Sequence, residues 1–284
     1  LKNGAFVNAA DSGLDTVEEL RAGLQLTDKQ MKQDKIEVQK YRALYLDAQL
    51  KENPVVSAVK DKSFKSLVRN MKTIEDNDFE VPESLDKVLR EYQKRGFLWI
   101  KTLNYNGFGG ILADDMGLGK TIQVLVFYEQ FVSKDKPSLI VCPSSLMYNW
   151  MSEIEKFKIG VDAVCVTGTQ EVRKEIIQEN HELYITTYDY LRRDVELYMP
   201  MEFEYIVLDE AQFIKNPKTK NAQSVKALKS KHRLALTGTP IENSLSELWS
   251  IFDFLLPGYL YSLNYFTKNF EKPIQMGDDD RQSK

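Results

Sequence analysis

The chain has 284 residues, of which 43% are hydrophobic, and this is enough apolar material for one large domain or two smaller ones. The net charge of −4 excludes a chain that is basic throughout, so any nucleic-acid surface must be local. The chain has two isolated cysteines, Cys142 and Cys165, and only two histidines, which argues against a disulfide framework and a zinc site. The sequence shows no signal peptide and no apolar run of membrane-spanning length, so we expect a cytoplasmic protein with no membrane partner.

Residues 1–72 have a helical pattern and differ from the rest of the chain. Asp15 and the acids after it predict a helix start, and apolar residues at helical spacing predict helix over 27–50 and again over 57–72. The last segment carries one acid and five bases, Lys60, Lys62, Lys65, Arg69 and Lys72. A solvated helix face is the simpler interpretation and a nucleic-acid contact the alternative. We interpret 1–72 as a helical accessory region that could dock a protein partner, and the acidic stretch 73–84 as a linker.

Helices and strands alternate from Ser84 onward. A long helix is predicted over 84–106, followed by strand candidates at 110–113, 138–142, 163–166, 183–186, 205–208 and 233–236. Continuously apolar strands such as 139–142 indicate burial on both faces. This order predicts an α/β fold with a parallel central sheet flanked by helices, whose ligand lies beyond the carboxyl ends of the strands.

A phosphate-binding loop is predicted directly after the first strand, over residues 113–121. Its glycines allow several backbone N–H groups to point at one anion, Lys120 adds a positive charge, and the Thr121 hydroxyl can ligate Mg²⁺. The loop residues expected to hold the nucleotide are Asp115, Met116, Gly117, Leu118, Gly119, Lys120 and Thr121. Asp114 departs from the strict pattern, which has glycine at that position.

A second half of the nucleotide site is predicted at the end of the apolar run 205–208. Asp209 is placed to hold Mg²⁺, and Glu210 to orient and deprotonate an attacking water. The alternative is that the two acids mark only a strand end that meets solvent, with Glu210 in a salt bridge.

The order of motifs resembles the first motor lobe of Swi/Snf-type (sucrose-non-fermenting family) ATPases in helicase superfamily two, with Gln212 similar to bacterial members. The motifs that carry the resemblance lie at 89–93, 114–121, 141–146, 149–150, 185–189, 209–216, 236–243, 247–249 and 256–258. The resemblance implies a RecA-like, ATP-binding lobe over 85–273. Asp114 is common in this family.

The resemblance also implies roles for individual residues. Gln93 would read the adenine edge in a pocket shaped by Arg90 and Tyr92, although these residues could merely belong to a core helix. Gln212 would take part in catalysis and link the γ-phosphate to the coupling residues Thr237, Gly238 and Thr239. The residues implied to face the DNA backbone are Pro143, Ser144, Ser145, Thr187 and Tyr188. Trp150 is interpreted as structural.

Residues 215–233 add a clue that does not depend on the resemblance. The segment holds seven bases and no acid: Lys215, Lys218, Lys220, Lys226, Lys229, Lys231 and Arg233. It predicts a local basic surface for DNA, with Lys215 as a contact, against the alternative of a solvated lysine-rich face.

The resulting hypothesis is an ATP- and Mg²⁺-dependent motor that translocates on double-stranded DNA, remodels protein–DNA complexes and associates with the nucleoid. The alternatives are a strand-separating or RNA-directed helicase of the same superfamily, and a scaffold that has lost catalysis. We interpret 274–284 as a tail toward a second lobe in cis, which would supply arginines. We therefore expect negligible ATP turnover by these 284 residues alone.

Overall fold

The computed structural model describes residues 14–52, 58–72, 79–129 and 136–277. It divides the chain into two compact units, Leu1–Asn77 and Asp78–Lys284. The predicted linker over 73–84 and the predicted tail over 274–284 lie partly outside the described residues, so their boundaries stay predictions.

The first unit is helical, as its sequence pattern predicted. Its helices are α1 Leu14–Leu24, α2 Asp28–Met31, α3 Ala43–Glu52 and α4 Lys62–Lys72, with a 3₁₀ turn at Lys40–Arg42. The expectation of one helix over 27–50 is wrong, because α2 ends after one turn and α3 begins only at Ala43. Residues 32–39 between them are nearly all exposed, so no buried face stabilises a helix there.

The second unit alternates strands and helices. Its strands are β1 Gly110–Leu112, β2 Ser138–Cys142, β3 Ala163–Cys165, β4 Leu183–Thr187, β5 Glu202–Leu208 and β6 Lys229–Leu236. Its helices are α5 Glu83–Asp86, α6 Glu91–Asn106, α7 Lys120–Glu129, α8 Met147–Phe157, α9 Gln170–Gln178, α10 Tyr188–Tyr198, α11 Lys220–Ala227, α12 Leu245–Leu255, α13 Leu263–Phe266 and α14 Lys272–Gln275. Across the described ranges, every helix is too short or too polar to cross a membrane.

The six strands form one sheet in the order β1-β6-β5-β2-β4-β3, and every neighbouring pair is parallel. This confirms the predicted α/β fold. All residues of β2 and β4 are buried, as expected for strands covered on both faces. One part of the core packs Leu139, Ile206 and Leu208 of the sheet with Val225 of α11 and Phe254 of α12, and this fixes the strand ends that carry the site.

Two strands are longer than the sequence indicated. β5 starts at Glu202 and β6 at Lys229, whereas the apolar runs begin only at residues 205 and 233. The additional residues include charged side chains at the solvent end of the sheet, where Lys231 pairs with Glu204 at 2.8 Å. Because these residues break the apolar run, their strand character does not show in the sequence.

The helix predicted over 84–106 is interrupted before Glu91. Arg90 has an extended backbone (φ −72°, ψ 158°), and its N–H donates to the side chain of Gln93 at 2.9 Å. This capping bond starts α6 at Glu91 and orients Gln93, and Gly107 ends the helix in the left-handed conformation at φ 74°.

Candidate active site

The strand order brings five loops to one edge of the sheet. Leu112 of β1 is in register with Leu236 of β6, and Val141 of β2 with Leu208 of β5. The chain then leaves each strand at the same edge, where the Thr237 N–H donates to the Leu112 carbonyl at 3.2 Å and the Asp209 N–H to the Val141 carbonyl at 2.8 Å. The predicted phosphate loop, coupling residues, metal-binding acid and DNA-facing loops therefore share one edge, as expected for a parallel sheet.

The phosphate loop connects β1 to α7, which begins at Lys120. Gly117 and Gly119 have φ of 82° and 75°, in the left-handed region where side chains other than glycine are strained. A Cβ at Gly119 would also lie 2.6 Å from Nε2 of Gln93. The loop thus reaches the amino end of a helix in a conformation that requires glycine, which is the geometry that exposes backbone N–H groups to phosphate.

Lys120 is buried and bridges its own loop. Its Nζ donates to the Asp114 carbonyl at 2.7 Å and to the Asp115 carbonyl at 3.1 Å. The Asp114 carboxylate accepts a 2.8 Å hydrogen bond from Nε2 of Gln123 in α7. Asp114 therefore ties the loop to the next helix, which gives a physical role to the residue that departs from the strict loop pattern.

The predicted adenine residues lie against the same loop. The Tyr92 hydroxyl and Nε2 of Gln93 both donate to the Leu118 carbonyl, at 3.0 and 3.1 Å. Gln93 is buried, whereas Arg90 is exposed. Tyr92 and Gln93 therefore contact the phosphate loop as well as belonging to helix α6. Their contact with adenine stays a prediction.

Asp209 directly follows β5 and is held by three groups. Trp150 donates from Nε1 to Oδ2 at 2.9 Å, the Glu210 N–H donates to Oδ1 at 3.0 Å, and the Tyr188 hydroxyl donates to the Asp209 carbonyl at 2.9 Å. Burial raises the pKa of Asp209 above its ordinary value, while the Trp150 hydrogen bond and the positive charge of Lys120 oppose this rise. Hydrogen bonds to its carboxylate and to its carbonyl therefore fix Asp209 at this edge of the sheet.

A chain of hydrogen bonds leads from Glu210 to the loop after β6. Nε2 of Gln212 donates to Glu210 at 2.7 Å, the Thr237 hydroxyl donates to Oε1 of Gln212 at 3.0 Å, and the Thr239 N–H donates to the Thr237 hydroxyl at 3.1 Å. Glu210 itself has φ 51° and ψ 59°, a left-handed conformation that costs about 1 kcal/mol or more outside glycine. Gly238 lies beside the phosphate loop, since a Cβ there would be 3.6 Å from Cγ of Met116.

The donors at this edge fit a magnesium nucleotide. The Thr121 hydroxyl and the Asp209 carboxylate are hard oxygen ligands of the kind Mg²⁺ prefers. Within the described part of the chain, no group of three or more His, Cys, Asp or Glu side chains could hold a metal by itself. A cation here would therefore complete its coordination with phosphate oxygens and water, as Mg²⁺ does in nucleotide sites.

The predicted DNA-contact residues divide into two groups. Ser144 and Ser145 are exposed and Pro143 is half-buried, in the loop between β2 and α8. Thr187 and Tyr188 are both buried, with the Thr187 hydroxyl capping α10 by accepting from the Tyr190 N–H at 3.1 Å. In this structure the Thr187 and Tyr188 side chains make interior contacts, and their contact with the DNA backbone stays a prediction.

The basic segment 215–233 is mostly paired within the fold. Lys215 is buried beside Glu242 at 2.9 Å and Glu247 at 3.4 Å, and Lys226 pairs with Asp253 at 2.8 Å. Lys231 pairs with Glu204, and Arg233 donates to the Phe254 and Leu228 carbonyls. The exposed lysines of the segment are Lys218, Lys220, Lys229 and Lys231, and of these Lys231 is already paired with Glu204.

The role of Trp150 goes beyond its predicted structural one. It is 1% exposed, as expected of a core residue, but its indole N–H donates a hydrogen bond to the candidate metal ligand Asp209. The one signal in the sequence is that a buried indole N–H requires an acceptor, and nothing local indicates that the acceptor lies 59 residues away.

Comparison with known proteins gives two family matches. The family described as "SNF2-related domain" matches residues 92–284, and the family described as "Bacterial SNF2 helicase associated" matches residues 1–82. The first match covers more than half of the chain and includes every predicted site residue except Arg90.

Individual relatives are similar over most of this chain. The TATA-binding protein-associated factor mot1 of Aspergillus fumigatus is 38% identical over 231 residues, which are 76% of this chain and 12% of the relative. An uncharacterized ATP-dependent helicase of Mycoplasma pneumoniae is 44% identical over 72% of this chain and 21% of its own length. The solved Sulfolobus solfataricus SWI2/SNF2 ATPase core in complex with dsDNA is similar at a TM-score of 0.64 and 45% identity, over 69% of this chain and 41% of that one.

Proposed function

Because the chain belongs to the SNF2-related family, as its motifs indicated, we propose that the second unit is the first lobe of a DNA-dependent ATPase motor. The motor would translocate on double-stranded DNA and remodel protein–DNA complexes. The chain spans 12% and 21% of the two curated relatives described above, so the activity of the whole protein is part of this proposal. The observation that carries it is the hydrogen-bonded chain from Glu210 through Gln212 to Thr237, beside a glycine-dependent phosphate loop.

Different residues of this lobe would have different roles in phosphoryl transfer to water. The loop N–H groups and Lys120 would hold the phosphates. To do so, the Lys120 ammonium would leave the Asp114 and Asp115 carbonyls and bind phosphate oxygens instead. Thr121 and Asp209 would hold Mg²⁺, which when bound neutralises charge on the phosphates. Glu210 would orient the attacking water and accept its proton.

Gln212 is the residue best placed to couple hydrolysis to movement. Its amide joins the Glu210 carboxylate to the Thr237 hydroxyl, so a shift of Glu210 on loss of the γ-phosphate would reach Thr237, Gly238 and Thr239. A second lobe in cis, with arginines that typically contribute a factor of about 10³ or more in rate, completes the proposed motor. Closure and opening of the two lobes would then drive translocation.

The exposed loop of Pro143, Ser144 and Ser145 is the proposed contact with the DNA backbone. Hydroxyl and N–H groups suit phosphate contacts that do not depend on sequence. The relative solved with dsDNA, 45% identical, supports this choice of partner. A motor on duplex DNA would associate with the nucleoid in a bacterial cell.

The test uses the full-length protein and measures ATP hydrolysis with and without duplex DNA. We expect Lys120→Ala and Glu210→Gln each to reduce the DNA-stimulated rate by about 10² or more, because one removes phosphate binding and the other the water-orienting carboxylate. Lys174→Ala and Glu175→Gln, exposed on α9, are the matched controls and should retain the rate. Near-normal hydrolysis by either site variant would contradict the assignment.

Two alternative functions have their own readouts. A strand-separating helicase would unwind a forked duplex, whereas a duplex translocase displaces a triplex-forming strand without unwinding. A scaffold without catalysis would bind duplex DNA equally well with and without ATP.

A further inference from the structure

Helix α4 presents a row of four cationic residues. Lys62, Lys65, Arg69 and Lys72 are exposed and follow each other at i, i+3, i+7 and i+10, which at 3.6 residues per turn places them within about 80° of arc. The helix contains no acidic residue. Val68 is buried, and Phe64 and Leu67 are half-buried on the other side, so the first unit fixes the orientation of the row.

The row has the length and charge density to follow a nucleic-acid strand. Ten residues of helix rise about 15 Å, and phosphates of one strand of B-DNA follow each other at about 3.4 Å along the axis, so the row spans about four phosphates. Lys62 and Lys65 are exposed and form none of the ion pairs found among the described residues.

A second cluster of lysines surrounds Asp47 and shares Lys72 with this row. Asp47 in α3 is within 3.0 Å of Lys51, 2.8 Å of Lys60 and 2.9 Å of Lys72. Hydrogen bonds from Lys60 and then Lys72 hold the pKa of Asp47 well below its ordinary value, so it is charged at neutral pH. One carboxylate thus faces three ammonium groups, with Lys60 coming from just before α4 and Lys72 from its last residue, so an excess of positive charge remains beside the row.

We propose that these residues form a basic face, consisting of Lys51, Lys60, Lys62, Lys65, Arg69 and Lys72, that binds the sugar-phosphate backbone of duplex DNA without reading its sequence. The regular row favours a polymer with regularly spaced charges over an acidic protein segment. The net charge of −4 for the whole chain makes the excess local. This site belongs to the first unit, whereas the loop after β2 that the proposed function assigns to DNA belongs to the second, and binding here requires no ATP hydrolysis.

The inference is tested by binding of a short fluorescent duplex of arbitrary sequence to the 284-residue chain without ATP, over a series of salt concentrations. Lys62→Glu with Lys65→Glu is compared with Lys32→Glu with Lys35→Glu, an exposed pair in the same unit with the same change in net charge. We expect the α4 variant to weaken binding about tenfold or more at low salt and to reduce the slope of log K against log salt by about 1.8, the value for two phosphate contacts. The control variant should stay within about twofold of the wild-type affinity.

Two further arms distinguish the possible sources of a negative result. Equal affinities for the α4 and control variants, while Ser144→Glu with Ser145→Glu weakens binding, would overturn this inference and leave the proposed function standing. If polyglutamate competes with the duplex as strongly as unlabelled DNA of equal charge, the face is a site for acidic protein segments and the inference is wrong. Thermal unfolding of each variant checks that the first unit remains folded.

Discussion

The indole Nε1 of Trp150 donates a 2.9 Å hydrogen bond to Oδ2 of Asp209, and both side chains are buried. Trp150 lies in α8, which follows the exposed loop containing Ser144 and Ser145. Tyr188 follows β4 and binds the carbonyl of the same Asp209. The candidate metal ligand is therefore held by one side chain that the sequence analysis interpreted as structural, Trp150, and by one that the resemblance implied to face DNA, Tyr188.

Replacing Trp150 tests this arrangement. Trp150→Phe removes a hydrogen-bond donor from a buried carboxylate, and we expect a loss of about 1–3 kcal/mol in the free energy of unfolding, measured by urea denaturation. In the full-length protein it should also raise the Mg²⁺ concentration needed for half-maximal ATP hydrolysis, because Asp209 is less well oriented. Trp249→Phe, whose indole binds the Leu260 and Tyr261 carbonyls, is the control and should not change the Mg²⁺ requirement.

Asp209→Asn should make the nucleotide-free chain more stable at neutral pH, although it removes a candidate metal ligand. Burial raises the pKa of Asp209 from its ordinary value of 3.8, so the folded state binds this proton more tightly than the unfolded state. The stability that the wild type gains from the protonated group is present below pH 3.8 and is lost as pH rises through the raised pKa. The difference in the free energy of unfolding between variant and wild type, measured without Mg²⁺, should grow as pH rises from 3.8 through the raised pKa. A difference that is constant with pH would refute the explanation.

His232 should make the chain sensitive to mild acid. Burial, followed by the charge of Lys231, lowers the pKa of His232 from 6.5 to about 4. The stability from the neutral ring is present above pH 6.5 and is lost as pH falls toward 4, by at most about 3 kcal/mol. His232→Gln should remove this part of the pH dependence in unfolding experiments.

His181, the other histidine of the chain, is the control with the opposite sign. Partial burial lowers the pKa of His181, but hydrogen bonds with Glu179 and Asp162 outweigh it and the net shift is upward. Its stabilisation is present below pH 6.5 and fades as pH rises through the raised pKa, so His181→Gln should change the profile in the opposite direction. The same profile from both variants would contradict both assignments.

Gly119→Ala should reduce ATP binding more than the strain of the substitution alone explains. Its φ of 75° strains any side chain by about 1 kcal/mol, and the new Cβ would lie 2.6 Å from Nε2 of Gln93, which is bonded to the loop. Gly107→Ala has the same strain at φ 74° but no atom within 4 Å of the new Cβ. Both variants should lose similar stability to strain, and a fluorescent ATP analogue should bind more weakly to the Gly119 variant only.

The buried ion pair between Arg173 and Asp194 should matter far more than an exposed pair nearby. Arg173 binds both oxygens of Asp194, at 2.5 and 2.9 Å, and both side chains are nearly inaccessible. Asp194→Ala leaves a buried, uncompensated guanidinium, for which we expect a loss of about 3–5 kcal/mol in urea unfolding. Asp189→Ala, which removes exposed pairs with Arg192 and Arg193, should cost less than about 1 kcal/mol.

The sequence by itself determined the fold class and where the loops of the site begin. Apolar runs such as 138–142 and the pattern Gly117-Leu118-Gly119-Lys120-Thr121 are local, and their physical meaning does not depend on distant residues. The alternation of elements then required a parallel sheet, so that the phosphate loop and Asp209 had to lie at the same edge. The predicted starts of α6, β5 and β6 were wrong, because the local pattern indicates neither the capping bond between Arg90 and Gln93 nor the charged first residues of the two strands.

Only the tertiary structure decided which side chains work together. The order β1-β6-β5-β2-β4-β3 places Trp150 and Tyr188 on Asp209 and Thr237 on Gln212, and it brings Glu242 and Glu247 to Lys215. Each partner comes from a segment distant in sequence, and no local periodicity encodes it. A lysine-rich segment and a buried tryptophan therefore have no defined role in the sequence alone, because the role of a charge or an indole N–H depends on the acceptor that the fold brings to it.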